Sequence, residues 1–243
     1  MIRSLFIIAA ASLVLTIVCL AGAAAIGGRE ISRDGWNITG DGWTIVQSDF
    51  EWESTDENIV TREIAWEGGE ALTFDLSARV IYAQGDEPSI TVAGPAEVVD
   101  RVTFADGRFD MEEGTRTGRH SRPRITIVAP AVTRFTLNGS QDLEIRDYDQ
   151  PTLALAVSGS GDIEGYGRTD ALTVTIDGSG DVDLEGLPST DAVIEINGSG
   201  DVEAAPSGQA DVTIRGSGDV ELTTRPARLN SQVMGSGRVR QAD

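Results

Sequence analysis

The residues best suited to chemistry in this chain are acidic side chains that recur in pairs at a regular interval. In each pair two acids flank one apolar residue, and a glycine-rich step precedes the first acid. Carboxylates at such spacing are typical ligands of Ca²⁺, and two of them can also serve glycoside chemistry. The pairs are Asp142 and Glu144, Asp162 and Glu164, Asp181 and Asp183, Asp201 and Glu203, and Asp219 and Glu221.

If these repeats stack, the acids form two columns of like charge. Unit charges about 5 Å apart repel by roughly 3 kcal/mol at an effective dielectric of 20, and by under about 1 kcal/mol in water. The columns must therefore be hydrated or neutralised. We expect each Asp to cap its own turn by accepting backbone N–H groups while each Glu points into water. A Ca²⁺ strip held by the same acids is the alternative, and no other cofactor is expected.

The remaining chemistry-bearing residues exclude several function classes. The single cysteine, Cys19, lies in an apolar segment, and His120 is the only histidine, so Cys-based zinc sites and H-E-x-x-H hydrolases are excluded. All 19 basic residues are Arg, and the formal charge of −20 argues against nucleic-acid binding. Tyr166 and Arg168 are the only irregularity in the middle repeats. We predict no catalytic residue, and keep a carbohydrate-acting lyase or hydrolase as the alternative.

The amino terminus carries an export segment. Basic Arg3 precedes 22 almost continuously apolar residues, 5–26, and two A-x-A-like sites lie at 21–25. Residues 1–26 are therefore predicted to be a signal peptide. The run also exceeds the roughly 18 residues that span a bilayer, so an uncleaved inner-membrane anchor is the alternative. Either outcome places the rest of the chain outside the cytoplasm, in the periplasm, on the outer-membrane surface or in the medium.

The positioning elements follow from a repeat in residues 133–243. Six Gly-Ser steps begin at Gly139, Gly159, Gly178, Gly198, Gly216 and Gly235, with spacings of 20, 19, 20, 18 and 19 residues. Apolar residues recur two positions before and four positions after each glycine, and four positions before each except Gly235, where Ser231 stands; polar residues alternate with them. This period of two predicts short strands, and a 19-residue unit buries its apolar face only by stacking on its neighbours. We predict an all-β, single-chain β-solenoid of about six coils, similar to a parallel β-helix.

The Gly-Ser-Gly step is interpreted as structural. Glycines at an inward position indicate either a narrow interior or a corner that needs positive φ. Six identical hydroxyls in one column are expected to hydrogen-bond along the stack, since no single serine is special. The structural residues are Gly159 and Ser160, Gly178 and Ser179, Gly198 and Ser199, and Gly216 and Ser217.

The last repeat replaces both acids with arginines. Arg238 and Arg240 occupy the Asp and Glu positions, where we expect them to pair with Asp219 and Glu221. Exposed pairs of this kind add at most about 1 kcal/mol, so their predicted role is to blunt a free strand edge.

Residues ahead of the repeats form two further predicted segments. Residues 27–70 hold all four tryptophans and read as a linker or cap. Residues 71–132 read as an N-terminal β part that closes the first coil. Its predicted strands are 71–82, 89–93, 108–111 and 124–129, with a short helix over 95–102 and a polar loop over 112–123.

Three sequence elements together resemble a known family. They are the run Gln84-Gly85-Asp86-Glu87-Pro88 with its following strand, then Ile125-Thr126-Ile127-Val128-Ala129-Pro130, then the G-S-G-D-V/I units. From about Ala71 to Asp243 the chain resembles the head GIN domain, an exported bacterial domain named for the head of an auto-transporter adhesin. The resemblance implies a β-helix-like fold and an envelope or surface location, and carries no catalytic residues. We expect a non-enzymatic solenoid with an acidic surface for adhesion, binding or envelope structure. Its expected partner is a glycan or protein of the envelope or the cell surface. Whether the chain forms an oligomer is left open.

Overall fold

The structure is a computed structural model, and it describes residues 59–112 and 122–242. All of these belong to one compact unit, Thr55–Asp243. The predicted export segment, most of the tryptophan-rich segment and His120 lie outside the described residues. No helix in the described ranges is long and apolar enough to cross a membrane.

Among the described residues, the N-terminal part contains seven strands and one short helix. They are β1 (Ile59–Ile64), β2 (Ala71–Phe74), β3 (Arg79–Gln84), β4 (Ser89–Pro95), α1 (Ala96–Val99), β5 (Val102–Ala105), β6 (Arg108–Met111) and β7 (Arg124–Ala129).

The repeat region contains nine strands. They are β8 (Arg134–Gly139), β9 (Asp142–Gly159), β10 (Asp162–Gly178), β11 (Val182–Gly198), β12 (Val202–Pro206), β13 (Gln209–Gly216), β14 (Asp219–Leu222), β15 (Arg228–Gly235) and β16 (Arg238–Gln241).

The repeats form the predicted solenoid through parallel pairing of equivalent positions. One ladder runs β8, β9, β10, β11, β13, β15, and a second runs β9, β10, β11, β12, β14, β16. The six Gly-Ser glycines pair in a single column from Gly139 to Gly235. Six stacked levels enclose about five turns, so the predicted architecture is confirmed.

The core lies inside the coils, where the predicted apolar columns are buried. Each column member up to the fifth repeat is at most 2% exposed, as for Val157, Ile176, Val182 and Ile214. In the last repeat the columns lose their cover, and Val233 is 40% exposed. The period of two therefore predicted the inward and outward faces correctly.

The two glycines of each step share one physical need and differ in another. Both are packed against the coil before them: a Cβ would lie 2.1 Å from the carbonyl oxygen of Gly159 at Gly178, and 2.1 Å from that of Gly161 at Gly180. The first also has positive φ, for example 149° at Gly178, a region that L side chains rarely adopt. Close packing of the coils thus explains both glycines, and positive φ is a further reason at the first.

The serine column bonds differently from the expectation. It is the backbone N–H of each serine that donates to a glycine carbonyl of the preceding coil, at 2.8 Å for Ser160, Ser179, Ser199 and Ser217. The expected hydroxyl ladder is not among the hydrogen bonds of the described residues.

The N-terminal part joins the solenoid and closes it. Strand β3 pairs parallel with β9, β7 pairs parallel with β3, and then β4 and β1 add antiparallel strands. Strand β2 pairs with β8, and stacked Phe74 and Phe109, 5.2 Å apart, fill the end of the core. The sequence prediction was wrong in treating 71–82 as one strand, and it missed β1 and β5. The predicted strands at 108–111 and 124–129 are confirmed, and the helix covers only Ala96–Val99.

Gln141 ends the glycine column at its N-terminal side. It takes the place of the second glycine in the first Gly-Ser step. The side chain is fully buried and donates through Nε2 to the carbonyl oxygens of Phe74 and Asn138, both at 3.0 Å. A large polar side chain therefore fills the interior at a position that glycine occupies in the other five steps.

Candidate functional site

The candidate site is the acidic ladder, defined as a Glu column on the outer face of β9, β10, β11, β12 and β14 and an Asp column at, or one residue before, the start of the same strands. The Glu column is in register throughout, with Glu144 paired to Glu164, then Asp183, Glu203 and Glu221. The Asp column comprises Asp142, Asp162, Asp181, Asp201 and Asp219. Parallel neighbouring strands are about 4.8 Å apart, which sets the spacing of the carboxylates.

The Asp column is tied to the backbone between coils. Oδ1 of Asp162, Asp181 and Asp201 accepts the backbone N–H of the next Asp in the column, at 3.2, 3.0 and 2.7 Å. Oδ1 of Asp219 accepts the N–H of Arg238 at 2.8 Å. Asp162, Asp181, Asp201 and Asp219 thus each cap the following coil rather than their own turn, which corrects the sequence expectation, whereas the N–H of Asp162 is bound by the Gln141 carbonyl oxygen and not by Asp142.

Arginines bracket both ends of the ladder. At the N-terminal end Arg79 pairs in register with Asp142, and Arg124 lies one strand beyond it. Arg122 approaches Asp142 at 3.6 Å, and Arg146 binds Glu144 at 2.6 Å. The first level of both columns is therefore neutralised.

At the C-terminal end both arginines of the last coil converge on one acid. Arg238 Nη1 and Arg240 Nη2 each lie 3.8 Å from Oδ2 of Asp219. A pair between Arg240 and Glu221 is not among the ion pairs of the described residues. The expected pairing is thus correct for Asp219 and wrong for Glu221.

The three middle levels have no arginine partner among the described ion pairs. They hold Asp162 and Glu164, Asp181 and Asp183, and Asp201 and Glu203. Residues 147–210 contain 13 acids and one Arg, a formal charge of −12, whereas residues 211–242 contain three acids and five Arg, a charge of +2. The negative potential is concentrated on the middle coils.

Glu203 lies among these like charges. Its pKa is raised by desolvation first and then by the like charges of Asp183, Glu221 and Glu185. Desolvation and the neighbouring carboxylates together disfavour ionisation at this position.

Tyr166 breaks the uniformity of the middle coils. Its ring is 45% exposed and lies over Gly186, where a Cβ would come within 2.5 Å of Cδ1. Its hydroxyl donates to Glu164, which raises the tyrosine pKa. With Asp183 and Glu185, these residues line a shallow depression of about 380 Å³. An aromatic face therefore lies beside the acidic ladder.

Arg168, the other irregular residue, is placed away from this depression. Its guanidinium binds Asp149 with two hydrogen bonds of 2.8 and 2.7 Å. Both partners are exposed, at 73% and 60% of the side chain, so the pair contributes little stability.

The predicted metal ligands lie together on one face but form no compact cage. Within residues 59–112 and 122–242, no three His, Cys, Asp or Glu side chains are grouped so as to hold a metal ion. Oδ2 of Asp162, Asp181 and Asp201 takes part in no ion pair of the described residues, and Ca²⁺ binding by the ladder stays a prediction.

Comparison with known proteins identifies the family. The family model described as "Putative auto-transporter adhesin, head GIN domain" matches residues 70–226. The chain belongs to the head GIN domain family. The match spans the N-terminal β part and most of the solenoid, which confirms the resemblance drawn from the three sequence elements.

Solved structures support the head GIN fold. A putative adhesin from Bacteroides fragilis has a TM-score of 0.66 and 17% identity, covering 77% of this chain and 98% of that chain. A putative lipid binding protein from Parabacteroides distasonis has a TM-score of 0.52 and 20% identity, with the same coverage. At these identities the likeness concerns the fold alone. No curated protein matches the chain at a significant level.

The head GIN domain contains two features that sequence reasoning missed. Arg79 and Arg124 lie in the N-terminal part, which has no repeat. Only the strand register showed that they lie at the N-terminal end of the acidic ladder. Gln141 could have been singled out from the sequence, since it is the single departure from the G-S-G pattern in the six steps.

Proposed function

We propose that this head GIN domain is a non-enzymatic adhesion module whose acidic ladder binds a cationic partner at the cell envelope. The observation that carries the proposal is the set of three middle levels without arginine, flanked on both sides by arginine-bracketed ends. A rigid row of hydrated carboxylates attracts positive charge over several levels at once, and the brackets define where the row begins and ends. The partner class is a surface glycan or protein that presents amines or guanidines.

The proposed location is outside the cytoplasm. Residues 1–26 support export, and the adhesin family to which the chain belongs agrees with an exported or surface protein. Cell fractionation would distinguish the periplasm, the outer-membrane surface and the medium. It would also find the chain in the inner membrane if residues 1–26 stay as an anchor.

The test is a binding screen of the full chain, purified in mild detergent, against glycan and matrix-protein arrays. The triple variant Glu164→Gln, Asp183→Asn and Glu203→Gln removes three charges from the column that does not cap backbone between coils. Asp170→Asn, Asp177→Asn and Glu195→Gln remove the same charge from other exposed positions and form the matched control. We expect loss of binding only in the ladder variant, and weakening of wild-type binding by salt. Equal binding by both variants would refute the ladder as the contact surface.

A carbohydrate-acting β-helix is the second candidate, and the depression at Tyr166 favours it. An exposed ring with Glu164, Asp183 and Glu185 around it combines a stacking face with carboxylates. The assay is release of reducing ends or unsaturated products from a polysaccharide panel. Turnover that is lost in Glu164→Gln and Asp183→Asn would favour this candidate over adhesion.

A further inference from the structure

The wall of the solenoid has free strand edges at both ends. In the part of the chain that the structure describes, β1 pairs only with β4 and β5 only with β6, while β16 pairs only with β14 and β15 only with β13. Backbone N–H groups of Ser236 and Ala242 donate to the preceding coil, so the alternating N–H groups of Val233 and Val239 point away from it. Unpaired edges of this kind are templates for a further strand.

Strands β1 and β16 are the two ends of one continuous path of paired strands. The path runs β1, β4, β7, β3, β9, β10, β11, β12, β14, β16. Strand β1 is antiparallel to β4, and β4 is antiparallel to β7, whereas every later pair is parallel. Strand β1 therefore runs in the same direction as β16. A second copy placed end to end in the same orientation offers β1 as a parallel strand to the free edge of β16.

The register along this path places an acid beside an arginine where two copies meet. One outward column starts at Glu63 on β1 and ends at Arg240 on β16. Between these ends it passes through the five members of the Glu column and through Thr91, Thr126 and Ile81. Continued into a second copy, the register sets Glu63 beside Arg240, and Thr61 beside Arg238.

A second path supplies an apolar contact at the same junction. It runs β5, β6, β2, β8, β9, β10, β11, β13, β15. Its inward column starts at Phe104 and ends at Val233. Val233 is 40% exposed, whereas Ile214, one coil earlier in the same column, is fully buried. A second copy in the same orientation lays Phe104 over Val233 and covers the open end of the core.

The charges of the two ends are complementary as well. Residues 59–112 contain 11 acids and four Arg, a formal charge of −7, whereas residues 211–242 carry a charge of +2. Contact between two C-terminal ends would instead bring Arg238 and Arg240 of both copies together. Charge therefore favours contact between unlike ends.

We propose that copies of this chain stack head to tail, with β1 and β5 of one copy on the free edges of β16 and β15 of the next. The contact is β-augmentation, and it continues both paths of the solenoid wall. Because it joins two different surfaces, it generates an open series of oligomers rather than a single dimer. Short strands bury less than a standard interface, so each contact is weak and forms at high local concentration. This assembly is independent of what the acidic ladder binds.

The test is sedimentation velocity of the full chain in mild detergent over a range of protein concentrations. We expect species that grow in size with concentration. Glu63→Arg and, separately, Arg240→Glu place like charges at the junction, and each should raise the concentration needed for assembly by roughly fivefold or more. The double variant exchanges the two charges and should restore assembly. Glu67→Arg and Arg225→Glu change the charge of the same two ends outside the edge strands, and form the matched control.

Backbone and apolar variants keep the proposal falsifiable if a charge variant folds poorly. Val239→Pro removes an outward N–H and keeps the bonds to β14, so it should block assembly while circular dichroism stays unchanged. Val233→Asp should also block assembly, because it sets a carboxylate against Phe104 of the next copy. Met234→Asp places the same group on the opposite face of β15, at a residue that is 42% exposed, and should leave assembly intact.

Disulfide cross-linking tests the register itself. In a Cys19→Ser background, Glu63→Cys with Arg240→Cys should give covalent multimers under mild oxidation, since residues that face each other on neighbouring strands lie within the span of a disulfide. Glu67→Cys with Arg225→Cys is the control and should give none. A monomer at every concentration, a dimer that does not grow further, or assembly that survives both the proline and the inward aspartate variant would overturn the proposal.

Discussion

At the scale of single residues, the acidic ladder separates two roles that its sequence pattern makes look alike. The Asp column holds neighbouring coils together through hydrogen bonds from backbone N–H groups to Asp side chains. The carboxylates of the Glu column make no such bond between coils among the described residues. The alternation of acids predicted where the carboxylates lie. Which backbone N–H each Asp binds depends on the stagger between coils, and no local sequence pattern contains that information.

Glu203 provides a test of repulsion within the ladder. Its pKa is raised in the folded state, so its ionised form costs stability above that pKa, and the cost disappears below the pKa of the unfolded chain. Glu203→Gln should therefore raise Tm at pH 7 and lose this advantage near pH 4. Glu195→Gln, between Thr175 and Thr213, is the control and should change Tm little at either pH. A lower Tm for Glu203→Gln at pH 7 would contradict the repulsion argument.

At the scale of elements, the repeat explains why the solenoid was predictable and the N-terminal part was not. In the solenoid, six aligned copies average out local ambiguity, so one column fixes the inward face of every strand. In the N-terminal part each strand occurs once, and the break between β2 and β3 at 75–78 keeps the same alternation as the strands around it. Periodicity alone could not locate that corner.

The inward face of β11 can be tested with a charge. Val182→Asp places a carboxylate in a site that is 2% exposed, and should cost at least about 3 kcal/mol in the free energy of unfolding. Thr173→Asp puts the same group on an outward, exposed position of β10 and should cost less than about 1 kcal/mol. Urea unfolding followed by circular dichroism measures both. Similar losses at the two sites would contradict the assigned faces.

The close stacking of the coils can be tested with one methyl group. The Cβ of Gly180→Ala would lie 2.1 Å from the carbonyl oxygen of Gly161, so the coils must separate, at about 3 kcal/mol or more. Gly69→Ala would meet only the Trp66 ring at 3.5 Å, an ordinary contact, and serves as the control. Thermal unfolding of the two variants should show a large fall in Tm for the first alone. Equal Tm values would mean that the backbone relaxes without cost.

At the scale of the whole molecule, charge is distributed by position along the solenoid axis. The middle coils are acidic, the last two carry a small positive excess, and arginines mark both boundaries. The net charge of −20 argues against nucleic acid as a partner class, but a single sum could not reveal this segregation. It became visible once register placed distant arginines next to the columns.

The Ca²⁺ alternative is decided by a measurement on the intact chain. We expect about 1 mM Ca²⁺ to change Tm little, because stabilisation by mass action stays small when the ion is below its dissociation constant. The double variant Asp181→Asn, Asp201→Asn keeps the Oδ1 acceptors and removes two charges from adjacent levels. A rise of many degrees with Ca²⁺ that a chelator reverses and this variant lacks would establish the cation strip instead.

The Asp links between coils also have a mechanical consequence. Every link runs in one direction, from a side chain to the backbone of the following coil, and the last one anchors Arg238. A pull on the C-terminal end therefore loads one coil at a time, beginning with the coil of β15 and β16, whose outer edge pairs with no strand of residues 59–112 and 122–242. Each coil that detaches releases about 19 residues, roughly 60 to 70 Å of extended chain, before the next one bears the load. Stretched between two surfaces, the solenoid would lengthen in steps, and each step would dissipate part of the mechanical work.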